Sequence, residues 1–232
     1  MAAFLDSHLY FVSLIVELFL YLAGLVFLKK HLKSILISSL LALPQGFLSP
    51  FYVPLYWNPP RITFFVFGLE DFLFSFLSGG LIWIGLLLIF HRKIELTFNI
   101  RIFFLRFGFC SLFGIIGFTI LHFFHIRGDI IAYSVMVLWS ATIILYRPKY
   151  YKIFVTGSFM YLIIYGMAIK ISLSIWPHFI SFWELHNLSG ILFLKIPVEE
   201  LIWAFLVGGS WSLAIAFILD LKFKTGFIQP DK

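Results

Sequence analysis

Four carboxyl side chains stand in two matched pairs within otherwise apolar runs: Glu70-Asp71 and Glu199-Glu200. On insertion scales an ionisable group at the centre of a membrane span costs about 2.5–3.5 kcal/mol, less near the interface, so intramembrane acids ordinarily carry function. Held away from bulk water, a carboxyl beside a second carboxylate keeps its proton at neutral pH and can donate it, and Glu70, Asp71, Glu199 and Glu200 are the candidate catalytic residues. Consecutive residues on a helix diverge by about 100°. Within each pair one carboxyl is therefore expected to face the centre of the protein while its neighbour meets a flanking helix. The plainer alternative is interhelical hydrogen bonding, with Asn58 and Asn187 as local partners. A Glu199→Gln variant is expected to insert normally and to lose activity.

The two pairs belong to one repeated element. A gapless shift of 129 positions sets Asn58 on Asn187, Ile62 on Ile191, Phe64 on Phe193 and Glu70 on Glu199. The same shift matches Phe76 with Phe205, Leu77 with Leu206, Gly79 with Gly208 and Gly80 with Gly209, giving 8 identities in 23 positions, and it places Asp71 on Glu200. Shared apolar composition does not produce the order Asn, acid pair, Gly-Gly. The glycine pairs read as close helix contacts, where small residues let backbones approach.

The elements that must position these groups are long apolar helices. The 232 residues are 62% hydrophobic and only 12% charged, with a mean hydropathy of +1.02. Such a balance excludes a soluble domain and a disordered chain alike. Seven stretches meet the requirement of roughly 20 apolar residues for a membrane span. They are Leu9–Leu28, Ser34–Val53, Phe65–Phe90, Ile102–Phe123, Ile130–Tyr146, Ile153–Ile175 and Ile196–Leu219. The first is too long for a cleavable signal core and reads as a retained helix. Twelve of the 17 Lys and Arg fall on one side: Lys29, Lys30, Lys33, Arg92, Lys93, Arg101, Arg147, Lys149, Lys152, Lys222, Lys224 and Lys232. The positive-inside rule then puts the N-terminus outside and the C-terminus in the cytoplasm of a cell (inner) membrane. The net charge of +6 reads as this orientation signal plus attraction to anionic lipid, with no nucleic-acid partner. A single cysteine, Cys110, excludes an intrachain disulfide.

The expected fold is all-α: a polytopic membrane protein of seven helices in a 3+1+3 parallel repeat. Residues 1–91 form the first three-helix unit, 92–129 a linker with the fourth span, and 130–232 the second unit, all in one integral membrane domain. Both acid pairs then lie at one depth near the outer ends of spans three and seven, where pseudo-symmetry brings them face to face. Phe72, Phe74, Phe76, Trp203 and Phe205 follow the acids, and the inward-facing rings among them suit a carbocation. Asn58, Asn187, Trp57, Phe74 and Trp203 are the candidate substrate contacts. Trp57, Trp176 and Trp183 fall where an interfacial aromatic belt is expected. His122 and His125, with Asp129 nearby, have a spacing compatible with metal ligation, but interfacial hydrogen bonding is the better reading and no metal is assigned. Glu184 and His186 flank the second Asn motif at a possible mouth. Asp6, His8, His31 and His91 read as interfacial polar residues.

The stretches Phe67-Gly68-Leu69-Glu70-Asp71 and Ile196-Pro197-Val198-Glu199-Glu200 resemble the Pro-x-Glu-Glu/Asp motif of the membrane-embedded lycopene cyclase domain family. Trp57-Asn58-Pro59-Pro60-Arg61 resembles the lead-in to that motif. The family has two related transmembrane halves, each with the motif, and here both halves are fused in one divergent chain. Gly68 takes the place of the first motif proline, and Leu86 and Ile215 stand where typical halves carry a further acid. The resemblance implies a cofactor-independent intramolecular lyase of carotenoid biosynthesis that converts lycopene-type ends to ionone rings, with membrane lipid and a hydrophobic isoprenoid substrate as its partners. A small parallel-repeat transporter or carrier of a lipophilic molecule is the alternative reading.

Overall fold

The computed structural model describes residues 8–61 and 67–224. Ile62 and Phe64 of the repeat, the first residues of the third stretch, Asp6 and Lys232 lie outside the described residues. Among the described residues, seven helical segments long and apolar enough to cross a membrane follow one another. They are α1 (Leu9–Phe27), α2 (Leu32–Ala42), α3 (Leu69–Phe90), α4 (Ile100–Phe123), α5 (Gly128–Tyr146), α6 (Tyr151–Ile175) and α7 (Val198–Ile218). The second span is composite: α2 is flanked by 3-10 turns at Lys29–His31 and Leu43–Phe51, with Pro44 at the first turn of the latter. A proline is tolerated there because the first turn of a helix leaves its N–H groups unpaired.

The elements carrying the acid pairs, α3 and α7, are the most buried of the seven, and α4 is the least. They pack on each other. Around them, α1, α2 and α6 flank α3, and α4, α5 and α6 flank α7. Glycine makes this proximity possible. A Cβ on Gly208 would stand 2.7 Å from the Gly157 carbonyl oxygen and from the Tyr161 Cβ of α6, and one on Gly46 would stand 2.7 Å from the Phe72 ring. Hydroxyl and indole groups tie the packed helices. The Trp211 indole donates to Ser38 Oγ at 3.0 Å, and Ser38 donates to the Gly79 carbonyl at 2.6 Å. Tyr161 donates to Ser78 Oγ at 2.8 Å. These bonds give buried polar groups the partners that a lipid environment cannot supply.

Short strands close the two ends. Beyond the C-termini of α3 and α7, β1 (Ile94–Leu96) pairs antiparallel with β4 (Leu221–Phe223). There Asp220 accepts from Arg106 at 2.8 Å and from Thr97 at 3.1 Å, with Arg147 at 3.0 Å. At the opposite end β2 (Leu192–Phe193) and β3 (Ile196–Pro197) form a hairpin that delivers the chain to α7. Its turn residues Leu194 and Lys195 have φ of 53° and 67°, the left-handed region that hairpin turns usually give to Asn or Gly. Also at this end, the segment after α2 pairs with the segment after α6. Trp57 bridges Trp183, the Asn58 amide donates to the Phe182 carbonyl at 2.7 Å, and the Glu184 amide donates to the Tyr56 carbonyl at 3.1 Å.

Candidate functional site

The two-segment cover brings side chains of both halves onto one carboxyl. Glu200, in the first turn of α7, is buried. Tyr165 of α6 donates to its Oε1 at 2.6 Å, and Tyr56 and Trp183 of the cover donate to Oε2 at 2.6 and 3.0 Å. Three charge-assisted donors fix both oxygens in place. Burial, followed by the charge of Glu200, raises the Tyr56 hydroxyl well above its ordinary value, so Tyr56 keeps the proton it donates.

The expected divergence within each pair is present in α7. The Glu199 carboxyl turns toward the loop, where Oε1 accepts the Ser189 amide at 2.6 Å. Glu200 is therefore the inward member of the pair. In α3, Asp71 accepts from Tyr10 at 3.3 Å and pairs with Arg61 at 3.2 Å, and Arg61 also donates to Ser49 at 2.6 Å. Glu70 is almost fully buried. Gly68 is the N-cap of α3, and its N–H donates to Asp71 Oδ2 at 2.9 Å. A proline has no N–H to give, so glycine here permits a bond that Pro197, the N-cap of α7, cannot make.

The described residues show no hydrogen bond between Asp71 and Glu200. Aromatic rings connect them instead: Tyr10 meets Trp57 at 5.6 Å, Trp57 meets Trp183 at 4.5 Å, and Trp183 donates to Glu200. Trp183 is thus an interior donor, not a member of the interfacial belt that its position in the sequence suggested. Its indole N–H matches a buried acceptor, so burial costs it no unpaired donor. The partly exposed pair Phe74 and Trp203 is stacked at 5.8 Å and lies against Tyr165 at 6.0 and 5.4 Å. Of the two asparagines, Asn58 pairs through its backbone, and Asn187 donates its side-chain amide to the Leu55 carbonyl at 3.0 Å. Both contacts hold the cover together. The His122 ring packs on Phe51, and His186 pairs with Glu184 at 3.3 Å.

No local pattern in the sequence marks the donors Tyr56 and Tyr165, or one further acid. Glu17 of α1 is buried, and its Oε2 has no hydrogen-bond partner. With Tyr10, Trp57, Phe74, Tyr165 and Trp183 it lines a cavity of about 30 Å³.

Seven apolar helices around a carboxyl cluster define a polytopic integral membrane protein with a buried acidic centre. Residues 130–218, which span α5 to the end of α7 and include the Glu199-Glu200 motif, match the family model described as lycopene cyclase. Over this second half the chain is similar to the lycopene cyclase family. Neither a curated protein nor a solved structure matches it.

Proposed function

We propose that the protein cyclises the ends of lycopene-type carotenoids within the bilayer by acid–base chemistry, with Glu200 as one of the two reacting groups. The observation that carries this reading is the placement of Glu200. The inward carboxyl of the family motif is held by donors from both halves of the chain, beside the aromatic group Phe74, Tyr165 and Trp203. A cyclisation of this kind protonates a terminal alkene, closes the ring through a carbocation and removes a proton. It needs a proton donor, a base and walls that stabilise a cation without attacking it. Carboxyl groups supply the first two, and ring faces supply the third.

A cavity of about 30 Å³ has room for a few water molecules and is far smaller than an isoprenoid end. Substrate therefore enters by displacing rings. The partly exposed Phe74–Trp203 stack is the movable wall, because Tyr165 and the Glu200 it holds lie directly behind it. Matched packing supports the 3+1+3 parallel repeat and its units at 1–91, 92–129 and 130–232. Gly79 meets Ser38 and Ala42 of α2, as Gly208 meets Gly157 and Tyr161 of α6. The cationic residues support a cytoplasmic C-terminus, which a C-terminal reporter active only on that side tests.

The deciding experiment is co-expression in cells that accumulate lycopene, with pigments separated by chromatography. Wild type yields cyclic carotenoids. Glu200→Gln, at equal membrane yield, loses them, and Glu199→Gln is impaired less. Abundant, folded wild type that leaves lycopene unchanged overturns the proposal. Liposome flux of a lipophile that depends on Glu200 would establish the carrier reading in its place.

A further inference from the structure

The acid pairs account for the family's motif, but the cavity beside Glu200 contains a carboxyl that no motif includes. Glu17 projects from the middle of α1, seven residues beyond Tyr10. It is 6% exposed, and its Oε2 has no hydrogen-bond partner. The described residues place no cation in an ion pair with it. The Ser78 hydroxyl lies alongside it, and Glu200 is near enough for the two carboxyl groups to interact electrostatically. A buried carboxylate with an unpaired oxygen is expensive to maintain, and a carboxyl that carries its proton is not.

We infer that Glu17 is the proton donor of the cyclisation and that Glu200 is its base. This assignment rests on the cyclase reading above. Glu200 receives three hydrogen bonds, which occupy its oxygens as acceptors, whereas Glu17 has an open oxygen at the cavity. Asp71 is unavailable for the role because Arg61 pairs with it.

The proton of Glu17 passes to the terminal carbon–carbon double bond, whose π electrons form the new C–H bond and leave a tertiary cation on the adjacent carbon. The internal double bond attacks that cation and closes the ring. Glu200 then takes a proton from the carbon next to the relocated cation, and the C–H electrons become the ring double bond. The substrate gains one proton and loses one, so the step needs no oxidant or reductant. Between turnovers Glu200 releases its proton to water and Glu17 takes one up from it; the Tyr165 hydroxyl on Glu200 and the Tyr161–Ser78 hydrogen bond line the space beside the two acids.

The test uses purified full-length protein in liposomes loaded with lycopene. Glu17→Gln keeps the side-chain volume and is expected to lose at least about a hundredfold in turnover, the scale of a missing general acid, with an unchanged melting temperature. Glu17→Asp retains part of the activity. In the infrared spectrum, wild type shows a C=O stretch of a protonated carboxyl that Glu17→Gln lacks and that Ser78→Ala shifts. Glu17→Gln within a few-fold of an active wild type overturns the inference and leaves the cyclase reading intact. If the substituted proteins do not fold, the absence of a protonated-carboxyl band in wild type overturns it. Inactive wild type instead refutes the cyclase reading on which the inference stands.

Discussion

Replacing Tyr165 by phenylalanine removes one oxygen and preserves the ring that packs on Tyr161, Phe74 and Trp203. What changes is Glu200, whose Oε1 receives its 2.6 Å hydrogen bond from that hydroxyl. Oε2 keeps two donors, Tyr56 and Trp183. A hydrogen bond to a charged group contributes about 1.5–3 kcal/mol. At about 1.36 kcal/mol per factor of ten, turnover falls by roughly tenfold to a hundredfold. Tyr56→Phe costs less, because the indole of Trp183 still holds the same oxygen. Combining Tyr56→Phe with Trp183→Phe costs more than the sum of the two, since the pair shares one acceptor. The assay is conversion of lycopene in liposomes, with thermal unfolding in detergent measured in parallel. If Tyr165→Phe leaves both turnover and melting temperature at the wild-type level, Glu200 is not organised by this hydroxyl and the geometry of the site has been misread.

Two further perturbations probe the frame. Gly208→Ala sets a methyl group against the Gly157 carbonyl and the Tyr161 Cβ, neither of which yields easily, and should destabilise by about 1–3 kcal/mol as overpacking does; an unchanged melting temperature contradicts the close α6–α7 contact. At the other end of the bundle, burial on its own raises the Asp220 carboxyl, but the hydrogen bond and charge of Arg106, the Thr97 hydroxyl and the Arg147 charge outweigh it and hold the group below its ordinary value. A lowered folded-state value means that the stabilisation is complete above the unfolded value of ~3.9 and disappears as pH falls through the folded value. Thermal unfolding should therefore show wild type losing stability below about pH 4, while Asp220→Asn begins lower and changes less over that window. Parallel pH profiles for the two proteins would contradict the clasp.

The helices were the most legible part of the sequence. The boundary of α1 at Leu9 and the ends of α4, α5 and α6 at Phe123, Tyr146 and Ile175 coincide with the limits of the apolar runs, because in lipid the length of such a run sets the length of the element. The second span departed from its apolar run. Pro44 and Pro50 hold its last part as 3-10 turns where hydropathy alone suggests one continuous helix. The acid pairs and glycine pairs were visible because they recur. Other parts of the site depend on tertiary structure. Tyr56 and Glu200 are 144 positions apart and meet only because two connecting segments pair across the helix ends. Trp183 has the composition of a belt residue and becomes interior only through that pairing. Glu17 is an ordinary acid in an apolar helix until α3 and α6 close around it, and nothing in its neighbours along the chain announces the cavity.

The central claim is that buried carboxyl groups between the two halves deliver and remove a proton at a carotenoid end. Supplying lycopene to the purified protein in liposomes prepared in heavy water tests it most directly. Wild type should give a cyclic product with one deuterium per ring, and Glu200→Gln should give no cyclic product. A cyclic product that carries no solvent deuterium, or unchanged lycopene in the presence of well-folded protein, contradicts it.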